Sequence, residues 1–300
     1  MEARYGGLAR GLLLGARERR RQRAAAEHTP KTRATSFNFR DGMQTLTDAL
    51  ARHLPQLACG AVVQALRRER DGSYAVEIER DGERSTRRAR ALVLALPAFA
   101  AARLVAPLGA AGAAAATALA QIAYPPMATV TAAYRRRDVA HRLDGFGFLA
   151  PRVEQPPVLG TLFVSAMFRG RTPAGTVLLT SFVGGRRDPQ AALAPASHLA
   201  ADVVRCNAHL LGAEPPLFTE VSQWPQAIPQ TDLGHAQRLA TVATLEQQLP
   251  GLTVCGSWRD GVSISDCIEA GDRRAAHVVA ALPPTTTAAG TAASLATQAG

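Results

Sequence analysis

Apolar residues recur along this chain with two periods, and the places where one gives way to the other separate its layers. Residues 1 to about 30 predict a helix with a basic face, ended by Thr29-Pro30. After Arg40-Asp41-Gly42 the run MQTLTDALARHL sets Met43, Leu46, Leu50 and Leu54 at helical spacing. AVVQALRRE and SYAVEIERDG then predict two strands joined by a tight turn, the second alternating apolar with polar, with turn pairs at Asp71-Gly72 and Asp81-Gly82. A charged stretch follows. ARALVLALPA is next, a continuous apolar run closed by Pro97, which predicts a strand buried on both faces of an α/β sheet.

The Ala-rich segment 109–121 predicts a helix by propensity. From Met127 the pattern changes to short strands, ATVTAAYRR, GFGFLAP, VLGTLFVSAMF and TVLLTSFVGG, which predict an antiparallel sheet in a layer of its own. A helix over Ser197 to Leu211, a strand at FTEVSQW and a helix from about His235 to Gln248 come next. The closing stretch GLTVCGSWRDGVSISDCIEAGDRRAAHVVAAL predicts strand, loop and helix; the tail 283–300 has too few large apolar groups to pack and is expected to be disordered. The fold class is α/β, mixed with α+β elements.

Composition narrows the functional classes. An apolar fraction of 47% with 19% charged residues argues against wholesale disorder. No apolar run is long enough for a transmembrane helix, and the N-terminal segment lacks the small-residue site of a secretory signal. The net charge of +10 suggests nucleic acid, but the basic residues are scattered arginines (Arg17 to Arg23, Arg67 to Arg70, Arg135 to Arg137) with few aromatics between them, and Lys31 is the single lysine. Nucleic acid is therefore not an expected partner; acidic small molecules or an anionic membrane surface suit the charge. Cys59, Cys206, Cys255 and Cys267 form no CxxC pair and read as small buried apolar residues in a reducing cytoplasm. The histidines show no metal-ligand spacing, so no metal is expected.

Candidate chemistry concentrates in the closing unit. Strand LTVCG, loop SWRDGVSISD and helix CIEAGDRRAAHVVAAL, capped by Asp266 or Ser265, would aim free amides and the positive end of a helix dipole at a phosphate or an electron-rich heterocycle. A capped helix packed on a sheet would give the same pattern. Gly145-Phe-Gly147-Phe-Leu-Ala150 fits a dinucleotide fingerprint but runs into Pro151 and a strand, so a strand passing close to something flat explains it better. GTLFVSAMF and LLTSFVGG supply either core or an apolar wall for a large planar ligand.

The segment GSWRDGVSISDCIEAG resembles the C-terminal FAD signature of the protoporphyrinogen oxidase family, within the flavin amine-oxidase superfamily. FNFRDGMQTLTDAL, ALVLALPA, LDGFGFLAP, VLGTLFVSAMF, TSFVGG and QWPQAIPQTDLGH resemble further family segments in the family's order, over roughly residues 1–282. The resemblance implies an FAD-linked amine-oxidase-like fold: a helical-domain remnant at 1–35, FAD-domain segments at 36–100 and 233–282, and an antiparallel-sheet substrate domain at 101–232. It implies oxidation of protoporphyrinogen IX or coproporphyrinogen III, with dioxygen as acceptor and hydrogen peroxide formed. Carried over residue by residue, it places Gly261, Val262, Ser263 and Ile264 beside the flavin, Val63 against its adenosine part and Trp224 at the isoalloxazine. Gly147 and Leu149 would pack on the tetrapyrrole, with Leu162 and Phe182 on its other side.

The chain also departs from that pattern. It begins after the family's strand–GxGxxG–helix unit and the arginine used for a substrate carboxylate, and Thr231 stands where the family commonly has Tyr. The expectation is a truncated product, aggregation-prone or dependent on a homodimer or complementing chain, with FAD held only in part. Cytoplasmic location, or peripheral contact with the inner face of the membrane, is expected. The competing expectations are another amine-oxidase-superfamily enzyme, or a non-catalytic remnant that binds porphyrin or a membrane surface.

Overall fold

The computed structural model describes residues 37–154 and 156–282; the helix expected over 1–30 and the tail 283–300 lie outside them. The chain divides into two units, one ending at Pro55 and one starting at Gln56. The described part of the first holds helix α1 (Gln44–Arg52), the helix expected from its apolar spacing.

The second unit contains three sheets. A meander of β1 (Val62–Arg68), β2 (Tyr74–Arg80) and β3 (Glu83–Ala89) is antiparallel throughout. Strand β3 occupies the charged stretch that the apolar pattern passed over. Asp81 and Gly82 both have positive φ, 52° and 81°, the geometry of a two-residue hairpin turn, and this turn returns the chain along β2. Its side chains are almost all exposed, so alternation could not reveal it.

Strand β4 (Leu92–Ala95) pairs in parallel with β10 (Leu252–Cys255). β10 is buried at every position, but β4 is not the doubly buried strand expected: Leu94 is inside while Val93 is 43% exposed. Between the two strands run α2 (Ala98–Val105), which the sequence pattern did not reveal, α3 (Gly109–Ala120) and, later, α6 (His235–Gln248). Leu66, Tyr74, Leu94, Val105, Leu119, Leu245, Val254 and Trp258 form one core that ties meander, parallel pair and helices together. The Tyr124 hydroxyl accepts from the Ala98 amide at 2.9 Å, capping α2, whose Pro97 lead-in has no side-chain cap to offer.

The third sheet is five-stranded and antiparallel, in the order β6 (Gly147–Leu149), β7 (Gly160–Phe163), β8 (Thr176–Gly184), β5 (Met127–Arg135), β9 (Phe218–Trp224). Helix α5 (Ala196–Leu211) covers one face of it. Leu199, Val203 and Cys206 pack on Ala128, Val130 and Val183, and Leu211 packs with Tyr134, Phe163 and Leu179. VLGTLFVSAMF is only in part a strand. The chain leaves β7 after Phe163 and makes one helical turn, α4 (Val164–Met167), whose Ser165 hydroxyl accepts from the Leu178 amide at 3.1 Å.

Candidate functional site

The register of the five strands decides which side chains share a face, because directly opposed residues point the same way and alternate residues return to the same side. Leu149, Gly160, Phe182, Thr129 and Ser222 oppose one another in a row across the sheet. Two residues along each strand lies a second row of Gly147, Leu162, Thr180, Thr131 and Glu220. Met127 opposite Trp224 begins a third. All of these stand on the face that α5 does not cover. Gly147, Leu149, Leu162, Phe182 and Trp224, the five sheet residues expected at the site, are therefore gathered on one open surface. Leu149 is 88% exposed, Trp224 46% and Leu162 37%, large apolar groups with little of this chain over them.

Close packing within the sheet accounts for Gly147. Its φ is +142°, and a Cβ there would stand 2.0 Å from the Thr161 carbonyl oxygen and 2.9 Å from the Leu162 Cα. The flat object it approaches is strand β7. The same crowding holds Gly160, whose Cβ would meet the Phe148 carbonyl at 2.5 Å. Gly145 has open space around it. Arg187 fastens this edge from beneath, donating to the Ala150 carbonyl at 2.6 Å and to that of Val158 at 3.3 Å.

The hydroxyl groups in these rows were not singled out by sequence. Thr131 Oγ1 and Thr180 Oγ1 are 3.1 Å apart on the open face, flanked by Thr129 and Ser222. Their signal is the polar phase of the alternation in ATVTAAY and TVLLTSF, which any solvated sheet face would share. A second pair, Thr161 with Ser181 at 2.8 Å, lies on the covered face and is fully buried.

The closing unit forms the other candidate surface. Beyond the C-terminal ends of β10 and β4 the chain makes a helical turn, α7 (Ser257–Asp260), inside what the sequence pattern gave as loop, and then enters α8 (Ile264–Ala281). The buried indole of Trp258 donates to the Leu96 carbonyl at 3.1 Å, pinning the turn to the end of β4. Arg259 donates to both oxygens of Glu246 on α6, at 2.7 and 2.8 Å, and also to the Val254 carbonyl, while the Val254 amide donates to Glu246. Burial works against the Arg259 charge, but the Glu246 partner outweighs it and holds the guanidinium pKa above its ordinary value. Asp260 accepts from Arg274 on α8 at 2.9 Å with one oxygen; its other oxygen is buried with no partner among the described residues.

The cap of α8 is Ser263, not Asp266 or Ser265. Its hydroxyl accepts from the Asp266 amide at 3.0 Å and its carbonyl accepts from Cys267, so the helix starts at Ile264, ahead of the Cys267 start that the sequence pattern suggested. The amides of Ile264 and Ser265 are those that helix geometry leaves open in the first turn. Gly261, with φ +124° and a Cβ position 2.6 Å from Asp266 Oδ2, lets the chain turn into the cap. Val262 and Ile264 are 56% and 51% exposed. Val63 lies in the meander and packs against the core that also holds Trp258, with its neighbour Val62 outward. Cys59 and Cys267 are exposed, contrary to the buried role expected of them, whereas Cys206 and Cys255 are inside and burial pushes both thiols up. A cavity of about 840 Å³ lies at the other end of the parallel pair, lined by Arg90, Gly251, Thr253 and His277; it does not include Gly261 to Ile264.

A parallel pair that ends in a glycine-bounded turn and a capped helix, joined to an antiparallel sheet with one open apolar face, is the arrangement of a flavin amine-oxidase fold. The chain belongs to the family of flavin containing amine oxidoreductases, whose model matches residues 3–279. Within it the chain is similar to protoporphyrinogen oxidases. The chloroplastic protein of Nicotiana tabacum is 33% identical over 247 residues, covering 78% of this chain and 44% of that protein. The Bos taurus protein is 31% identical over 293 residues, covering 91% and 58%. A crystal structure from Exiguobacterium sp. 255-15 superposes with a TM-score of 0.70 at 20% identity, over 80% of this chain and 51% of that one, a likeness of fold. The chain spans about half the length of the curated relatives it matches.

The residues present suit a flavin. Val262 and Ile264 offer exposed apolar contact, the Ile264 and Ser265 amides offer donors, and Gly261 removes the side chain that would fill the approach.

Proposed function

We propose that the protein takes part in FAD-dependent oxidation of a porphyrinogen, protoporphyrinogen IX or coproporphyrinogen III, with dioxygen as the electron acceptor. The observation that carries this reading is the convergence of Leu149, Leu162, Phe182 and Trp224 on one open sheet face, where Gly147 also lies in register. Bound FAD would supply the two-electron acceptor for hydride leaving a methylene bridge of the macrocycle. The chain's own residues bind, orient and exclude water. Leu149, Leu162 and Phe182 present area to the apolar body of the macrocycle, and their fixed places in neighbouring strands set the angle at which it would lie. On the cofactor side, Val262 and Ile264 would lie against the flavin and the Ile264 and Ser265 amides would favour negative charge developing there. The pyrroles stabilise the cation left behind, which then gives up a pyrrole N–H proton to water, so the step calls for no dedicated base on the chain.

A second reading, porphyrin binding without catalysis, draws support from the cofactor layer, where Val93 on β4 is exposed and α8 buries only Ala270. The two readings separate on the full chain supplied with FAD and protoporphyrinogen IX in air. Growth of porphyrin fluorescence above the non-enzymatic rate, with flavin absorbance retained through gel filtration, is the expected result. Porphyrin binding with no flavin retained favours the second reading, and binding of neither ligand overturns both.

Location in the cytoplasm or against the inner face of a membrane is part of the same proposal. The arginines between 17 and 23 suit an anionic lipid surface. Among the described residues no helix is long and apolar enough to cross a membrane. Retention on vesicles with anionic lipid, lost on neutral ones, is the expected outcome.

A further inference from the structure

We infer that the Thr131–Thr180 hydroxyl pair is a specificity-determining contact that reads the inner N–H groups of the tetrapyrrole; this rests on the porphyrinogen reading of the open sheet face. The two oxygens lie 3.1 Å apart on neighbouring strands, at the centre of the row Gly147, Leu162, Thr180, Thr131, Glu220. Adjacent strands stand about 4.8 Å apart, so Leu162, Thr180 and Thr131 span about 10 Å of sheet. Apolar groups lie to one side of that footprint, Leu149 and Phe182 in the next row and Met127 with Trp224 in the row beyond, and Glu220 continues its own row past Thr131. The pair bonded to itself spends one hydroxyl proton and one lone pair, leaving a proton and further lone pairs for a ligand.

A cyclic tetrapyrrole has the complementary pattern: an apolar body with neutral N–H donors turned to its centre. Neutral oxygen acceptors match neutral donors without the desolvation penalty that a buried carboxylate would bring. The Thr161–Ser181 pair on the covered face provides an internal contrast. It is made of the same groups in the same sheet, but it is fully buried and so can act only on the fold.

The test uses the full chain under argon and two probes, protoporphyrinogen IX, whose tetrahedral bridges let the pyrrole N–H groups turn out of the ring, and four-coordinate nickel(II) protoporphyrin IX, which has none. Binding is read by equilibrium dialysis, the porphyrinogen being oxidised to fluorescent porphyrin afterwards for counting. Thr180→Val and Thr131→Val are expected to weaken porphyrinogen binding about three- to tenfold, the loss of one neutral hydrogen bond, and to leave the nickel complex within about twofold. Thr180→Ser, which keeps the hydroxyl, is expected to restore the porphyrinogen affinity and keeps the test open should a valine variant fail to fold. Equal weakening of both probes, or no change in either, overturns the inference while leaving the porphyrinogen reading standing. Failure of the unaltered chain to bind either probe overturns that reading, and this inference with it.

Discussion

Two of the second unit's three sheets, the five-stranded sheet and the parallel pair, are held together in different ways. The five-stranded sheet is antiparallel and buries one face under α5 through aliphatic contacts, so its other face can stay open without strain on the fold. The β4–β10 pair is parallel, a kind of sheet ordinarily covered on both faces, yet Val93 on β4 is exposed and α8 lies over it with little buried surface. Directed contacts add to the apolar core there: Trp258 to Leu96, Arg259 to Glu246 and Val254, and Asp260 to Arg274. The open surface in the antiparallel sheet is a finished face suited to a ligand. In the parallel layer the exposed surface belongs to elements that ordinarily pack against more protein.

The two tryptophans give the largest expected contrast. Trp258 is 1% exposed in the parallel layer's core, and Trp258→Ala removes both its volume and the bond to Leu96. A loss of about 3–5 kcal/mol in unfolding free energy is expected from urea titration. Trp224→Ala on the open face should change stability by less than about 1 kcal/mol. A similar loss for both would mean that the open face is packed.

Next in size is the ion pair. Glu246 and Arg259 retain 17% and 10% side-chain exposure, and Glu246 also accepts from the Val254 amide. Glu246→Gln leaves the Arg259 charge largely enclosed with a neutral partner, which should cost about 3 kcal/mol in the same titration. An unchanged midpoint would show that apolar packing suffices in this layer too.

How much of this was legible in the sequence follows from the same contrast. Strands whose alternation reflects a covered face, β5 and β8 above all, were evident from ATVTAAY and TVLLTSF. The meander's third strand is hidden because β3 has no covered face to imprint a period, and LVLA predicts a doubly buried β4 because it keeps the composition of a central strand whatever lies beside it. The site residues were named through likeness to a family. Periodicity could place Leu162 and Phe182 in strands, but their sharing a face with Leu149 and Trp224 depends on register across five strands, which no local pattern encodes. Ser263 was missed as a cap because Ser265 and Asp266 are equally good capping residues; the chain decides between them by the turn at Gly261.

One buried thiol in each region permits a direct comparison of local opening. Cys255 lies in β10 and Cys206 in α5, and burial raises both thiol pKa values, so the thiolate fraction of each at neutral pH is below that of a free cysteine. Under native conditions a thiol reagent should label Cys59 and Cys267 first. Of the buried pair, Cys255 should follow about tenfold faster than Cys206, because the parallel layer has less apolar cover and opens at lower free energy. Mass-spectrometric mapping of the label gives the order, and Cys206 reacting first would reverse the assignment of the weaker region.

The smallest effect expected is at the helix cap. Ser263→Ala removes the acceptor for the Asp266 amide at the start of α8 but leaves the Ser263 carbonyl bond to Cys267 intact. The loss should be about 1 kcal/mol. Its value lies in where the loss appears. If the parallel layer opens locally, the substitution should raise Cys255 labelling several-fold and leave Cys206 unaffected, because α8 touches β10, whose core is separate from the one that α5 covers. Equal acceleration at both thiols would mean that the two layers unfold as one, and the contrast between a finished sheet and a layer held by polar contacts would fail.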